Sequence, residues 1–299
     1  MTRRAWLLFA AVSLLWGVPY LFIKVAVGEV PPVTVVLVRV ALAASLLLPF
    51  AARQGALRGL AGRLPAVVVL SLSEITIPFV LISMGEQRIS SSLAGLLIAA
   101  LPMFVALLAM RFDRTERVSG LRLLGLLIGI GGVALLLGLD AGGDAGQLLG
   151  AVLVLLATLC YAASTLVVKR AFSEVPMLGV AAATTTVATL LLAVPAAVLT
   201  PARLPSVHVV LALFALGVLC TAAALVAYFA LIVEAGPSRA AVITYLNPAV
   251  AVALGVAVLG EPLTPAIVLG FSLIIAGSLL ATRSSAPREA QLDPDRLIR

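Results

Sequence analysis

The 299-residue chain is 63% hydrophobic and only 11% charged, with a mean hydropathy of +1.22. Soluble domains contain roughly 45–50% apolar and about 25% charged residues, so this composition excludes a water-soluble core and indicates a polytopic membrane protein. The net charge of +7 does not indicate a nucleic-acid partner, because the arginines lie in short gaps between apolar runs rather than along a basic stripe with aromatics.

Ten apolar windows of about 20 residues predict ten transmembrane helices. The first window could resemble a signal peptide, but it is about as long as a membrane span and many others follow, so we interpret it as a retained helix. Segments such as "GEVPP" and "TPARLPS" separate the windows. In chain order, the predicted helices lie near residues 5–27, 33–52, 64–85, 91–111, 118–138, 147–169, 178–199, 207–232, 238–259 and 264–282.

The lysines and arginines are distributed unequally between the two sides of the predicted bundle. When the connecting segments are assigned alternately, one side holds nearly all of them and the other holds only Lys24, Arg88 and Arg203. Because cytoplasmic loops carry the excess of Lys and Arg, this pattern predicts a multi-pass protein of the plasma (inner) membrane with both termini cytoplasmic. The polar residues 284–299 are predicted to form a disordered cytoplasmic tail.

The chain is similar to itself at an offset of 145 residues. "WGVPYLFIKVAVGEVP" (16–31) aligns with "YAASTLVVKRAFSEVP" (161–176), and Lys24 meets Lys169. Each copy holds five helices, and because five is odd the second copy is inverted in the membrane. The sequence therefore predicts an all-α membrane protein with ten transmembrane helices in two inverted five-helix repeats, 1–140 and 145–283. Such repeats are typical of transporters, with the substrate site between the two halves.

Several motifs are similar to a known family. They are Trp16-Gly17, Arg39, "PFVLISMGEQRISSSLAGLLIAALPMF" (78–104), "RAAVITYLNPAVAVALGVAVLGEPL" (239–263), and Gly270 with Gly277. In this order they resemble the EamA type of the drug/metabolite transporter superfamily, over residues 5–282. The resemblance implies alternating access and export of small metabolites, often amino acids. The second copy departs from the pattern, with Tyr161-Ala162 in place of Trp-Gly and Thr184 in place of the arginine.

Polar and aromatic side chains form stripes at helical spacing in helices 1 and 6, which occupy equivalent positions in the two copies. We interpret the stripes as two walls of one cavity, lined by Trp16, Tyr20 and Tyr161. The alternative is helix packing, since small polar residues favour close membrane contacts and Trp and Tyr favour membrane interfaces. The stripes consist of Ser13, Trp16, Tyr20 and Lys24 in helix 1, and of Thr158, Tyr161, Thr165 and Lys169 in helix 6.

Glu74 is a carboxylate inside the third apolar window, where it costs at least about 2.5 kcal/mol on insertion scales. It lies about 16 Å deep, and Arg39 lies about 9 Å deep in the second helix from the same side, at 1.5 Å per residue. The sequence therefore predicts an Arg39–Glu74 ion pair that faces the cavity. In this hypothesis Glu74 binds a proton and frees Arg39 for a substrate carboxylate, whereas the alternative is a fixed structural pair.

The remaining candidates have weaker signals. Pro102 and Pro248 predict kinks in matched helices, either as static bends or with a freed carbonyl that meets substrate. Glu86 and Glu261, near helix ends, are interpreted as solvated caps or gate contacts. Further candidates for the cavity wall are Phe79, Tyr228, Tyr245 and Asn247.

These features predict a secondary transporter that moves small metabolites, such as amino acids or similar polar solutes, across the membrane by alternating access and exports them, rather than an enzyme. No phosphate loop is present, and the "GLLIG" motif (125–129) lies in a membrane span, where it predicts packing within the monomer or a homodimer face. His208 is the single histidine, so no catalytic cluster, metal site or cofactor is predicted. A channel or scramblase for solutes or lipids is the alternative; the expected partners are a small-molecule substrate and the lipid bilayer.

Overall fold

The computed structural model describes residues 1–112, 120–140, 145–199 and 203–282. These ranges are helical and contain no strand. Nine helices are long and apolar enough to cross a membrane, and α9 is shorter, with 17 residues. The helices are α1 (Arg3–Ala26), α2 (Pro32–Arg53), α3 (Leu64–Glu86), α4 (Ser91–Met110), α5 (Gly120–Gly138), α6 (Ala145–Ala171), α7 (Met177–Val198), α8 (Val207–Ala235), α9 (Ile243–Leu259) and α10 (Pro265–Thr282). The all-α prediction with ten helices is confirmed, whereas the tail 284–299 lies outside the described residues.

Contacts between helix ends divide the bundle into two faces. At the end that carries the N-terminus, here called the N-terminal face, the Thr2 hydroxyl donates to Glu234 at 2.6 Å and Arg63 donates to the backbone oxygen of Ala171. At the other end, here called the opposite face, Lys24 Nζ donates to the backbone oxygen of Ile89 at 2.7 Å. Successive helices therefore run in alternating directions through the bundle.

The two repeats are inverted relative to one another. Lys24 ends α1 at the opposite face. Its counterpart Lys169 ends α6 beside Ala171, which contacts Arg63 at the N-terminal face. Equivalent residues thus lie at opposite ends of the bundle, and the predicted inverted architecture is confirmed.

The last helices of the two repeats, α5 and α10, pack through glycines. A Cβ atom on Gly132 would lie 2.8 Å from the backbone oxygen of Gly270, and one on Gly277 would lie 2.5 Å from the backbone nitrogen of Gly129. Such approach is open only to residues without a side chain. The "GLLIG" motif (125–129) therefore packs within the monomer against α10.

The main hydrophobic core joins the two repeats. It combines side chains of α1 and α4 in the first repeat with side chains of α8 and α10 in the second. Several of its large members have 2% or less of their surface exposed, namely Ile23, Leu96, Leu97, Leu216 and Ile274. Because this core crosses the boundary between the repeats, neither repeat buries its apolar surface alone.

Prolines interrupt two of the helices. Helix α1 consists of Arg3–Gly17 and Pro19–Ala26, and α4 has a turn at residues 99–100, just before Pro102. Proline lacks the N–H that would bond to the preceding turn. Met103 N instead donates to Ala100 O at 3.0 Å, three residues back. The break in α4 therefore lies two residues ahead of Pro102.

Helix α9 differs from its predicted range of 238–259. A short turn of helix, Pro237–Ala240, comes first, and α9 proper begins at Ile243. Pro248 lies inside this continuous helix. The interruption thus falls ahead of Pro248, in contrast to the position of the break beside Pro102 in the matched helix.

Two helices contain π-helical segments at equivalent positions. Residues Leu72–Thr76 are π-helical in α3, and residues Ala215–Ala223 are π-helical in α8. The repeat offset places 72–76 on 217–221, inside the second segment. A π-bulge adds a residue to one turn and re-aims the side chains around it, and it is frequent at functional sites. Neither segment is predicted by the hydropathy pattern.

Candidate functional site

Arg39 is a buried cation at the contact between α2 and α8, with 7% of its surface exposed. Its Nε donates to the Thr221 hydroxyl at 2.9 Å, and its Cζ lies 3.9 Å from the centre of the Phe79 ring. Thr221 belongs to the π-helical segment of α8 and donates in turn to the backbone oxygen of Leu216 at 2.7 Å. Within the described residues, the two terminal guanidinium nitrogens form no hydrogen bond and no ion pair. They are therefore available to an anionic group.

The inverted counterpart of this contact lacks the cation. Thr184 replaces Arg39 in α7, and its backbone oxygen accepts a hydrogen bond at 2.8 Å from Ser71, beside the π-helical segment of α3. The Ser71 hydroxyl also lies 3.5 Å from that of Thr76, the counterpart of Thr221. Each second helix thus packs on the π-helical segment of the other repeat, but only one of the two contacts carries a charge.

Glu74 lies halfway along α3, in its π-helical segment. Its carboxylate accepts a hydrogen bond from Ser164 of α6. The Glu74 side chain is exposed, although it lies halfway along a helix that is long enough to cross a membrane. Tyr161 and Tyr228, both from the second repeat, lie in its neighbourhood. These neighbours place Glu74 on the space between the repeats.

The predicted ion pair between Arg39 and Glu74 is not formed. Among the described residues the ion pair within 4.0 Å is Arg4–Glu234, at the N-terminal face. Arg39 donates a hydrogen bond to Thr221, whereas Glu74 accepts one from Ser164. Similar depth did not bring the two groups together, because depth does not fix the direction in which a side chain leaves its helix. The interpretation that Glu74 neutralises Arg39 directly is therefore wrong for this structure.

Aromatic side chains that the sequence predicts for the cavity wall lie around Arg39 and Glu74. The rings of Trp16 and Tyr228 lie 4.7 Å apart at 48°. Tyr161 lies in the neighbourhood of Tyr20 and Arg39. The structure brings together seven of the predicted wall residues: Trp16, Tyr20, Arg39, Glu74, Phe79, Tyr161 and Tyr228.

The two predicted residues in α9 are placed differently. Asn247 ties α9 to α1: with its amide group oriented to donate, Nδ2 reaches the backbone oxygens of Ser13 at 3.2 Å and Ile243 at 3.0 Å. Tyr245 is half-buried, and no hydrogen bond or ring contact in the described chain joins it to the other wall residues. The structure therefore gives Asn247 a contact between the repeats and leaves Tyr245 apart from the cluster.

Two grooves open at the N-terminal face, away from these residues. The larger, of about 690 Å³, is lined mainly by apolar side chains of α2 and α8, and the smaller, of about 330 Å³, lies beside Arg4 and Glu234. Neither groove is lined by Arg39 or Glu74. Arg39 and Glu74 therefore lie apart from the two grooves.

The opposite face is closed by two carboxylates that bind helix N-termini of the other repeat. Glu261 accepts from the backbone nitrogens of Ser91 at 2.7 Å and Ser92 at 2.9 Å, at the start of α4. Glu29 accepts from the backbone nitrogen of Ser206 at 2.7 Å and from its hydroxyl at 2.8 Å, at the start of α8. Carboxylates stabilise this end of a helix because its first N–H groups are unpaired and carry partial positive charge.

These hydrogen bonds shift the acidity of both carboxyl groups. Partial burial acts to raise the pKa of Glu261, but the hydrogen bonds from Ser92 and Ser91 hold that pKa below its usual range. The hydrogen bonds from Ser206 likewise lower the pKa of Glu29. The position of Glu261 near a helix end predicts a cap or gate contact, and Glu261 binds the start of α4. The contact of Glu29 with the start of α8 is not predicted from the sequence. The serines that begin α4 and α8 were the available signal, since serine favours helix N-caps.

Glu86 differs from its predicted environment. Its position near a helix end predicts a solvated cap or gate contact, but the residue is completely buried, with 0% of its surface exposed. The residue follows an apolar turn of α3 and packs inside the bundle, so its nearness to the helix end gave no measure of its contact with water.

Two inverted five-helix repeats with buried charged and aromatic groups between them define the class of protein, a multi-pass membrane transporter. Residues 3–138 and 148–283 each match the EamA-like transporter family. The chain belongs to this family, and the resemblance noted in the sequence is confirmed.

Relatives of similar length carry transporter names. The chain is 28% identical to "Uncharacterized inner membrane transporter YedA" of Escherichia coli over 282 residues, which cover 91% of this chain and 88% of that protein. It is 25% identical to an "Uncharacterized transporter" of Archaeoglobus fulgidus, covering 94% and 99% of the two chains. A solved crystal structure with 22% identity has a TM-score of 0.66 and covers 94% of this chain and 97% of its own, which shows the common fold.

Proposed function

We propose that the protein is a secondary transporter that moves small metabolites, such as amino acids or similar polar solutes, across the membrane and exports them. The observation that supports this most is the Arg39 guanidinium, buried between the repeats with its terminal nitrogens unpaired. A buried cation without a carboxylate partner is costly. An anionic group of a bound solute would offset that cost, and the surrounding aromatic rings would cover its apolar part.

Alternating access is the mechanism that suits two inverted repeats. The Glu29 and Glu261 contacts hold the two repeats together at the opposite face, and the grooves open at the N-terminal face. In the proposed cycle the opposite-face contacts break while the N-terminal face closes, so that the solute beside Arg39 meets each side in turn. No residue pattern for ATP hydrolysis is present, so transport would use a gradient or exchange.

The proposed setting is the plasma (inner) membrane, with both termini and the N-terminal face in the cytoplasm. The excess of Lys and Arg in the segments on that face supports this orientation. A monomer is the proposed working unit, because the "GLLIG" glycines are used between α5 and α10 of one chain. Small-molecule substrate and bilayer lipid are then its partners.

A solute screen followed by counterflow tests this function. Purified protein is screened by thermal shift with single amino acids and small carboxylates, because a ligand that binds the folded state raises the melting temperature. Each stabilising solute is then tested as a radiolabelled probe in proteoliposomes preloaded with the same unlabelled solute. We expect transient, saturable accumulation. Flux that rises linearly with concentration and shows no counterflow would contradict a carrier.

The second candidate is a facilitator that passes lipids or solutes without alternating access. The apolar groove between α2 and α8 favours it, because bilayer lipid can fill such a groove. Liposomes with a fluorescent phospholipid distinguish the two functions: a scramblase makes both leaflets accessible to an impermeant quencher, whereas a carrier leaves the inner leaflet protected.

A further inference from the structure

A second carboxyl group lies in the bundle, apart from the residues around Arg39. Glu86 ends α3 with 0% of its surface exposed. Neither of its carboxyl oxygens has a hydrogen-bond partner in the described chain, and no lysine or arginine nitrogen of that chain lies within 4.0 Å of them. A charged carboxylate without partners is far costlier inside a protein than the neutral acid. These surroundings therefore favour a carboxyl group that carries a proton.

None of the charged groups near Glu86 binds its carboxyl oxygens. On α1, Lys24 Nζ donates to the backbone oxygens of Glu86, at 2.6 Å, and of Ile89, at 2.7 Å. Arg39 on α2 is held by Thr221, and Glu261 is held at the start of α4. The phenol of Tyr20 completes the set of titratable neighbours. No cation of the described chain therefore reaches the carboxyl oxygens, which leaves a proton as the group that can neutralise them.

We propose that Glu86 is a proton-binding site, which holds a proton while the opposite face is closed and releases it to water when that face opens. On release, the Lys24 ammonium moves from the two backbone oxygens to the Glu86 carboxylate. The movement is short, because Nζ already lies 2.6 Å from the backbone oxygen of the same residue. One proton would thus leave as one ion pair forms.

The geometry links this site to closure of the opposite face. Lys24 caps the end of α3 and the turn that leads into α4. Glu261 binds the first residues of α4, on the other side of that turn. Opening of this turn would therefore hydrate Glu86, free Lys24 and break the Glu261 contact together. The proposal rests on the proposed transport cycle, to which it adds a proton.

Infrared difference spectroscopy tests the site without any solute. The full chain, reconstituted in phospholipid bilayers, is titrated between about pH 5 and pH 9. We expect a protonated-carboxyl band that decreases as the pH rises, is absent from the Glu86→Gln variant and is kept in Glu74→Gln. In Lys24→Gln the band should persist to higher pH, because the cation that stabilises the carboxylate has been removed. Glu86→Asp keeps the acid and should keep a titrating band.

The proposal is overturned if wild type and Glu86→Gln give the same titration. It is also overturned if Glu86→Gln melts well below the wild type, since glutamine closely matches the neutral acid that this conformation should hold. Both readouts are independent of solute flux. Absence of counterflow with a Glu86-dependent band would remove the proposed transport function and leave the proton site, and counterflow without the band would do the reverse.

Discussion

Arg39 is the residue on which the site depends most. Its guanidinium is held by one hydrogen bond to Thr221 and by the face of Phe79. Both contacts fix the plane of the group without neutralising its charge. An arginine in this arrangement can offer two parallel N–H groups to a carboxylate or phosphate, which a lysine cannot.

Arg39→Gln should therefore remove binding rather than folding. Truncating one partner of a buried charged contact costs about 2–5 kcal/mol in binding, which corresponds to a loss of roughly 30-fold or more in affinity. The melting temperature should stay equal or rise, because an unpaired buried charge has been removed. Equilibrium binding of the solute found by thermal shift, measured calorimetrically, checks the first part.

Two variants sharpen this prediction. Arg39→Lys keeps the charge and should bind at an intermediate level, because the ammonium loses the two-pronged geometry. Thr221→Val removes the hydrogen bond to Nε and keeps the charge, so it should weaken binding less than Arg39→Gln. If Arg39→Gln binds the solute as well as the wild type, Arg39 does not contact it.

At the scale of elements, the glycines of α5 and α10 set how closely the two repeats approach. Gly131 and Gly132 are neighbours in α5 with different surroundings. A Cβ on Gly132 would lie 2.8 Å from the backbone oxygen of Gly270 and 2.9 Å from Leu273 Cβ, whereas one on Gly131 would meet nothing within 4 Å. The two positions form a matched pair within one turn of one helix.

Gly132→Ala should destabilise the protein by about 1–3 kcal/mol, the usual range for adding a group to a packed contact. Gly131→Ala should be neutral or slightly stabilising, because alanine favours the helix and nothing obstructs it. Thermal unfolding of both variants in the same detergent checks the difference. Equal melting temperatures would contradict this prediction and would show that α5 and α10 can separate enough to fit a methyl group without loss of stability.

Sequence patterns predicted the elements well and their irregularities poorly. Hydropathy found the ten helices and the offset between Lys24 and Lys169 found the inversion, because both depend on one-dimensional signals. The π-helical segments around Glu74 and Thr221 were not found, since a single added residue hardly changes an apolar window. The ion-pair prediction failed for a related reason: an added residue rotates the following side chains by about 100°, so depth alone could not give their partners.

At the scale of the whole molecule, closure of the opposite face depends on carboxylates exchanged between the repeats. Glu29 belongs to the first repeat and binds the start of α8, while Glu261 belongs to the second and binds the start of α4. Both contacts exist only while the repeats stay together at this face. They are therefore suited to break when it opens.

Glu261→Gln should lower the hydrogen-exchange protection of the amides at Ser91 and Ser92 by roughly tenfold, since a hydrogen bond to a charged group contributes about 1.5–3 kcal/mol and Glu261 is partly exposed. Glu29→Gln should lower protection at Ser206 by a smaller factor, because Glu29 is exposed. Glu174→Gln is the control, since that exposed carboxylate forms no hydrogen bond within the described chain. Unchanged exchange in both Glu261→Gln and Glu29→Gln would contradict closure by these contacts.

The same contacts should respond to acid in a defined range. Because the native pKa of Glu261 and of Glu29 lies below the usual value, their stabilising effect is complete above about pH 4.3 and is lost as the pH falls through the lower native pKa. Amide protection at the starts of α4 and α8 should therefore be constant from about pH 7 to pH 5 and decrease below about pH 4. Exchange measured at matched intrinsic rates checks this, and a loss already near neutral pH would contradict it.

Orientation of the bundle is tested by labelling from each side. Ala61 and Arg88 are exposed, at the N-terminal and opposite faces respectively. In a chain whose Cys160 and Cys220 are replaced, Ala61→Cys should react with an impermeant maleimide only from the cytoplasm and Arg88→Cys only from outside. Both reacting from the same side would refute a membrane-spanning α3, and exchanged sides would refute the proposed orientation.

The glycine contact between α5 and α10 also bears on biosynthesis. The ribosome synthesises α5 well before α10, yet each supplies the surface on which the other packs. Until α10 has been inserted, the glycine surface of α5 lacks its native partner. Native packing of α5 is therefore reached only after the second repeat has been made.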